Sequence, residues 1–176
     1  MADKVSVLIS EEDVEKRIRE MAAQISEDYE GRELRVICIL KGSVYFCCEL
    51  TKRITVPVTL DFMSCSSYGN DTISSGNVKI VKDLDESIEG KDVLVIEDIV
   101  DTGRTLSCLM ELLKDRHPAS LALCTLLDKP DRRLNEIEVD YTGFQIPDAF
   151  VVGYGLDYAQ KYRNLPYIGV VELDKE

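Results

Sequence analysis

Three short apolar runs constrain this chain more than anything else in it: residues 36–40 (VICIL), 93–96 (VLVI) and 121–127 (LALCTLL). Each is strand-sized and continuous rather than alternating, the pattern of a strand buried on both faces. Segments of helical period separate them. Ser10 followed by Glu11, Glu12 and Asp13 forms an acid-rich helix start, and Val14, Ile18, Met21 and Ile25 recur behind it at helical spacing. That predicts a helix over 11–29, ended by Gly31. A second helix is predicted over 44–53 and a third after Gly103, carrying Leu106, Leu109, Met110 and Leu113. Further strands are expected over 58–63, 78–81, 150–152 and 168–171. Strands alternating with helices specify an α/β fold, a central parallel sheet flanked by helices on both sides. With no internal repeat and no linker, residues 1–176 are expected to form a single domain.

Composition narrows the partners. There are 21 Lys and Arg against 33 Asp and Glu, a net charge of -12. A field of that sign repels nucleic acid and anionic lipid, so neither is an expected partner. No apolar run approaches the roughly 18 residues of a membrane span, and the opening MADKVSVLISEED has too short an apolar stretch for a secretory signal. The expected location is therefore the cytoplasm. Six cysteines form no Cys-x-x-Cys pair and are expected to be reduced, buried small hydrophobes. His117 is the sole histidine and lies at an expected helix end, so a zinc site has almost no ligand supply. Residues 64–77, SCSSYGNDTISSGN, are almost entirely small and polar and are expected to form a mobile loop.

Ligands of open parallel sheets bind at the carboxyl ends of the strands. After the run at 93–96 come Glu97, Asp98, Ile99, Val100, Asp101, Thr102, Gly103, Arg104 and Thr105. Three carboxylates in five residues at a strand end suit a solvated turn better than a core. The Thr-Gly-Arg-Thr piece suits something more specific, because its backbone N–H groups, two hydroxyls and following helix N-terminus make a ready anion site. The carboxylates just before it can accept hydrogen bonds from a vicinal diol such as that of a ribose. Competing motifs are missing: there is no Gly-x-x-x-x-Gly-Lys-Ser/Thr, no Gly-x-Gly-x-x-Gly and no Gly-x-Ser-x-Gly.

The stretch 93–106, VLVIEDIVDTGRTL, resembles the phosphoribosyl pyrophosphate motif of the type I phosphoribosyltransferases. Leu40-Lys41-Gly42 is similar to the pyrophosphate turn of their hypoxanthine-guanine subfamily, Ser67-Tyr68 to its lid, and Asp128-Lys129-Pro130 to its purine-reading segment. Residues 150–158, FVVGYGLDY, are similar to its base-stacking and metal-binding stretch, with Arg163 following. The resemblance runs in order from about Val36 to Val171. It implies the type I fold with a small hood and a mobile lid.

The resemblance also implies roles. Lys41, Gly42, Glu97, Asp98, Asp101, Thr102, Gly103, Arg104, Thr105 and Arg163 would bind phosphoribosyl pyrophosphate, with the 5-phosphate in the 102–105 loop. Lys41 would act through a turn whose backbone is strained. Glu97, Asp98 and Asp157 would address Mg²⁺, which bridges pyrophosphate and ribose oxygens. Asp101 would be the catalytic residue, beside the purine imidazole, with helix capping as its competing role. Lys129, Phe150, Val151 and Asp157 would bind the purine, and Ser67 and Tyr68 would close as a lid. The implied reaction is purine salvage, Mg²⁺-dependent transfer of the phosphoribosyl group to hypoxanthine, and to guanine, giving IMP or GMP and pyrophosphate. Two alternatives stand beside it: a xanthine-preferring relative, and a regulator that senses the sugar pyrophosphate. The resemblance suggests a homodimer or homotetramer, with Tyr45, Phe46 and Tyr167 available for subunit contacts.

Overall fold

The structure, a computed structural model, describes residues 4–67 and 78–172. In chain order it contains β1 (Lys4–Ile9), α1 (Glu11–Asp28), β2 (Leu34–Ile39), α2 (Val44–Thr51), β3 (Val58–Ser67) and β4 (Val78–Lys82). There follow β5 (Asp92–Val100), α3 (Arg104–Lys114), β6 (Ser120–Asp128), β7 (Tyr141–Gln145), β8 (Val151–Val152) and β9 (Ile168–Glu172). The main sheet has the order β4-β3-β2-β5-β6-β7. Its strands pair in parallel except for β4, which runs antiparallel to β3 at one edge.

The pleat explains why the central runs are unbroken by polar residues. Successive side chains on a strand point to opposite faces. Val36, Cys38, Leu94 and Ile96 face one way and pack with Val14, Ile18 and Met21 of α1 and Phe46 and Leu50 of α2. Ile37, Ile39, Val93 and Val95 face the other way and pack with Leu106, Leu109 and Leu113 of α3. Helices therefore cover both faces, as the sequence predicts. Ser10 caps α1, accepting from the Asp13 N–H at 3.2 Å. Arg17 of that helix donates to the carbonyls of Thr142 (2.8 Å) and Gly143 (3.0 Å), so α1 also ties down the β7 edge.

Three expectations need correction. The runs at 150–152 and 168–171 do not extend the main sheet; β8 and β9 join β1 in a separate antiparallel sheet of order β1-β9-β8. A parallel connection needs a crossover of a dozen or more residues, usually a helix. The chain between β8 and β9 instead makes turns through Gly153 and Gly155, both at positive φ. β5 does not stop at Ile96. Its pairing with β2 ends there, but its pairing with β6 continues to Val100↔Asp128, so Glu97 and Asp98 lie on the strand. The cysteines are all free, but only Cys38, Cys47 and Cys124 are buried; Cys48 is exposed and Cys65 and Cys108 are intermediate. No helix among the described residues is long and apolar enough to cross a membrane.

Asp61 ties the connection before β5 to the sheet. It is almost fully buried and accepts from the N–H groups of Phe62 (2.8 Å), Asp85 (2.9 Å) and Glu86 (3.4 Å), with the buried Arg35 at 3.9 Å. Asp61→Ala removes those acceptors together and is expected to cost about 3 kcal/mol in urea unfolding. A loss under about 1 kcal/mol would show that water replaces them without penalty.

Candidate active site

The connections β2-α2-β3 and β5-α3-β6 leave the centre of the sheet in opposite directions, which makes the gap between the carboxyl ends of β2 and β5 its switch point. A cavity of about 390 Å³ opens there. From the turn after β2 come Lys41 and Gly42, from β5 Glu97 and Asp98, and from the loop after it Asp101, Thr102, Gly103, Arg104 and Thr105. Asp157 and Arg163 reach the same cavity from the segment between β8 and β9. The peptide bond between Leu40 and Lys41 is cis.

Gly103 occupies the left-handed region at φ 80° as the residue before α3, and the helix starts without a side-chain cap. The Arg104 N–H donates to the Thr102 hydroxyl at 3.4 Å, so the loop partly closes on itself at the start of the helix, whose N-terminus lines the cavity. Asp101 does not cap. Its carboxylate accepts from Arg132 Nε at 3.0 Å, so the competing role considered for it is absent. Thr102 holds the loop from behind, its carbonyl accepting from the N–H groups of Leu134 (2.9 Å) and Asn135 (3.1 Å).

Glu97 and Asp98 are adjacent and largely enclosed. Ser43 donates to Glu97 Oε1 at 3.2 Å, and Asp98 Oδ1 accepts from the Ile99 N–H at 2.7 Å. Burial first, and then the neighbouring Asp98 charge, holds the Glu97 carboxyl well above the usual carboxylate range. Burial also raises Asp98. Opposite them, Arg163 donates to the Gly155 carbonyl at 2.7 Å and pairs with Asp157 at 3.0 Å. It is neither helical nor fully exposed, as a surface arginine would be.

A second cavity of about 400 Å³ adjoins the first and shares Ile99, Asp101 and Asp157 with it. Lys129, Phe150 and Val151 line this second space. Lys129 is buried, not a solvated loop lysine. Phe150 is 47% exposed, so it is not a core aromatic at a strand start; its ring meets Tyr158 edge to face at 5.5 Å. Val151 is buried, and the adjacent Phe150 carbonyl accepts from the Val171 N–H at 3.0 Å. Of the proposed lid, Tyr68 and the Ser67 side chain lie outside the described residues.

Sequence reading missed Ser43, Arg132 and Asp148. Arg132 links Asp101 to Asp148, which it meets at 3.5 Å, and Asp148 also lies 3.7 Å from Lys129. Arg133, beside it, pairs with Asp128 and donates to the Asp101 carbonyl. In sequence, Arg132 and Arg133 are two charges in a polar stretch, and nothing in their spacing separates them from a solvated loop.

Comparison with known proteins agrees with this geometry. The phosphoribosyl transferase domain family matches residues 8–159. The hypoxanthine-guanine phosphoribosyltransferase of Bacillus subtilis is 53% identical over 170 residues, 97% of this chain and 94% of that protein. The bifunctional protein TilS/HprT of Listeria monocytogenes is 56% identical over 170 residues, but this chain spans only 26% of its length. A crystal structure of a hypoxanthine-guanine phosphoribosyltransferase from Bacillus anthracis, with a HEPES molecule in its active site, superposes with a TM-score of 0.93 at 50% identity. It covers 97% of this chain and 100% of that one. Sheet order, helices on both faces and the small second sheet are therefore those of a phosphoribosyltransferase.

Proposed function

The chain belongs to the phosphoribosyl transferase family, and from that premise we propose that it is a purine-salvage enzyme. It transfers the 5-phosphoribosyl group from phosphoribosyl pyrophosphate to hypoxanthine, and to guanine, releasing pyrophosphate. The observation that carries this reading is the meeting of two cavities at Asp101 and Asp157, one lined with phosphate- and diol-binding groups and the other with groups for a flat base. Residues 1–176 act as one domain, in the cytoplasm, as a homodimer or homotetramer.

Loop 102–105 takes the 5-phosphate on its N–H groups, hydroxyls and the Arg104 guanidinium. Glu97 and Asp98 accept from the ribose hydroxyls, and Lys41, the Gly42 backbone and Arg163 face the pyrophosphate. In the neighbouring cavity Phe150 stacks on the base, Lys129 donates to its 6-oxo group and the Val151 backbone meets its edge. The bond from the ribose carbon to pyrophosphate oxygen breaks, its electron pair leaving with the oxygen, and the purine nitrogen forms the new bond. The imidazole proton passes to the Asp101 carboxylate.

The first cavity also fits Mg²⁺. Lys41, Arg104 and Arg163 do not outnumber the carboxylates Glu97, Asp98, Asp101 and Asp157 there, so the wall offers a polyanion no excess of positive charge and a cation would supply it. The donors are all carboxylate oxygens, which suit a hard cation. Among the described residues no cluster of three or more such groups forms a ready cage, and Mg²⁺ is commonly held by one or two carboxylates, water and substrate phosphates. Glu97, Asp98 and Asp157 would hold it. When bound, it neutralises charge on the departing pyrophosphate.

Purified protein given phosphoribosyl pyrophosphate, Mg²⁺ and hypoxanthine is expected to form IMP, with competition among hypoxanthine, guanine and xanthine ranking the bases. Absence of turnover with any of them, despite binding of the sugar pyrophosphate, would replace this reading with that of a sensor. Lys129→Met removes the donor to the 6-oxo group, and KM for hypoxanthine is expected to rise about 10- to 100-fold, the value of one hydrogen bond from a charged group. An unchanged KM would place the base elsewhere.

A further inference from the structure

The carboxylate of Asp148 holds two of the charged groups of the base cavity at once. Its Oδ1 lies 3.7 Å from Lys129 Nζ and its Oδ2 lies 3.5 Å from Arg132, whose Nε donates to Asp101 at 3.0 Å. The four side chains form a row of alternating charge, Lys129, Asp148, Arg132, Asp101, in the lining of the cavity. Lys129 needs the contact most. It is only 8% exposed, and its one ion pair among the described residues is with Asp148. Buried charged side chains are paired, so the contact with Asp148 fixes where the Lys129 ammonium lies.

Resting on the reading of this cavity as the base site, we propose that Asp148 is a positioning residue for the purine: its carboxylate holds the Lys129 ammonium where it faces the 6-oxo group. An ammonium has three donors, and at 3.7 Å the contact with Asp148 is a charge pair rather than a hydrogen bond, so a donor is left to offer to the base. The long 3.7 Å contact leaves room for that turn. Arg132 keeps Asp148 from following Lys129 into the cavity, because it holds the other oxygen. Asp148 acts on the base through Lys129 and takes no part in the bond changes. The consequence is selective. Bases carrying a 6-oxo acceptor depend on Asp148, and a base without one does not.

The test compares wild type, Asp148→Asn and Asp148→Glu in transfer to hypoxanthine, with unsubstituted purine as a competitive inhibitor that lacks the 6-oxo group. For Asp148→Asn, KM for hypoxanthine is expected to rise about tenfold, with kcat and KM for phosphoribosyl pyrophosphate within about twofold of wild type. The inhibition constant of unsubstituted purine should stay within the same twofold, and Asp148→Glu should recover most of the loss. A variant that weakens hypoxanthine and unsubstituted purine equally overturns the proposal, since that is the signature of a deformed cavity. So does an unchanged KM for hypoxanthine, or a Glu variant no better than Asn. Wild-type protein that fails to transfer to hypoxanthine removes the reading of the site and this inference with it, whereas an active wild type with an indifferent Asp148→Asn removes the inference alone.

Discussion

Asp101→Asn should bind both substrates and turn them over about 10²- to 10⁴-fold more slowly, the range expected when a positioned proton acceptor is lost. Asparagine keeps the size of the side chain and can still accept a hydrogen bond, so neither cavity changes shape. What it lacks is basicity at the atom that must take the imidazole proton. The loss should therefore fall on kcat. KM for phosphoribosyl pyrophosphate should move little, because residues 102–105, proposed for the 5-phosphate, and Lys41 and Arg163, proposed for the far end, are left unchanged. Arg132 loses the charge of one of its two carboxylates and keeps Asp148. Both side chains of the Asp101–Arg132 pair are close to half exposed, so its loss should cost little stability. Steady-state rates for both substrates, with urea unfolding as the control for folding, decide the matter. A kcat within about threefold of wild type would assign the proton transfer to another group or to water.

Asp101 was legible in the sequence because its setting is local. Residues 97–105 carry carboxylates, hydroxyls and a glycine in nine consecutive positions, and the strand before them and helix after them fix where they point. The same holds for β2, β5 and β6, whose continuous apolar runs follow from burial on both faces. β1 was not legible. Its KVSVLI is mostly exposed, with no buried position to mark it as a strand, and its partner β9 lies at the other end of the chain. β7, YTGFQ, has one fully buried residue and a glycine, and it is a strand because β6 offers it an edge. Asp148 and Arg132 stand sixteen positions apart in the sequence and meet only because β6 and β7 run in parallel and return both to the same end of the sheet. Long-range closure of that kind leaves no periodicity to read.

The contacts least visible in the sequence stack three backbone segments beneath the pyrophosphate turn, and they carry the other large effect. A Cβ on Gly155 would lie 1.9 Å from the Gly42 carbonyl oxygen, and one on Gly42 would lie 1.7 Å from Asp98 Oδ2. Gly155 therefore presses on Gly42, and Gly42 on the Asp98 carboxylate proposed for the metal. The two alanine variants should fail differently. Gly155 also sits at φ 100°, so an alanine there meets both an unfavourable backbone region and a fixed carbonyl. Strain and overpacking together should cost more than about 3 kcal/mol, read as a fall in the urea midpoint with little activity left at any Mg²⁺ concentration. Gly42→Ala meets a side chain that can rotate, so the fold should survive with a loss nearer 1 kcal/mol. The carboxylate it displaces is the one proposed for ribose and metal, so kcat/KM for phosphoribosyl pyrophosphate should fall at least about 100-fold, with more Mg²⁺ needed for half-maximal rate. A Gly42→Ala enzyme with normal Mg²⁺ dependence would mean that Asp98 is not the group the turn holds in place. Wild-type stability in Gly155→Ala would mean that the stack gives way without loss.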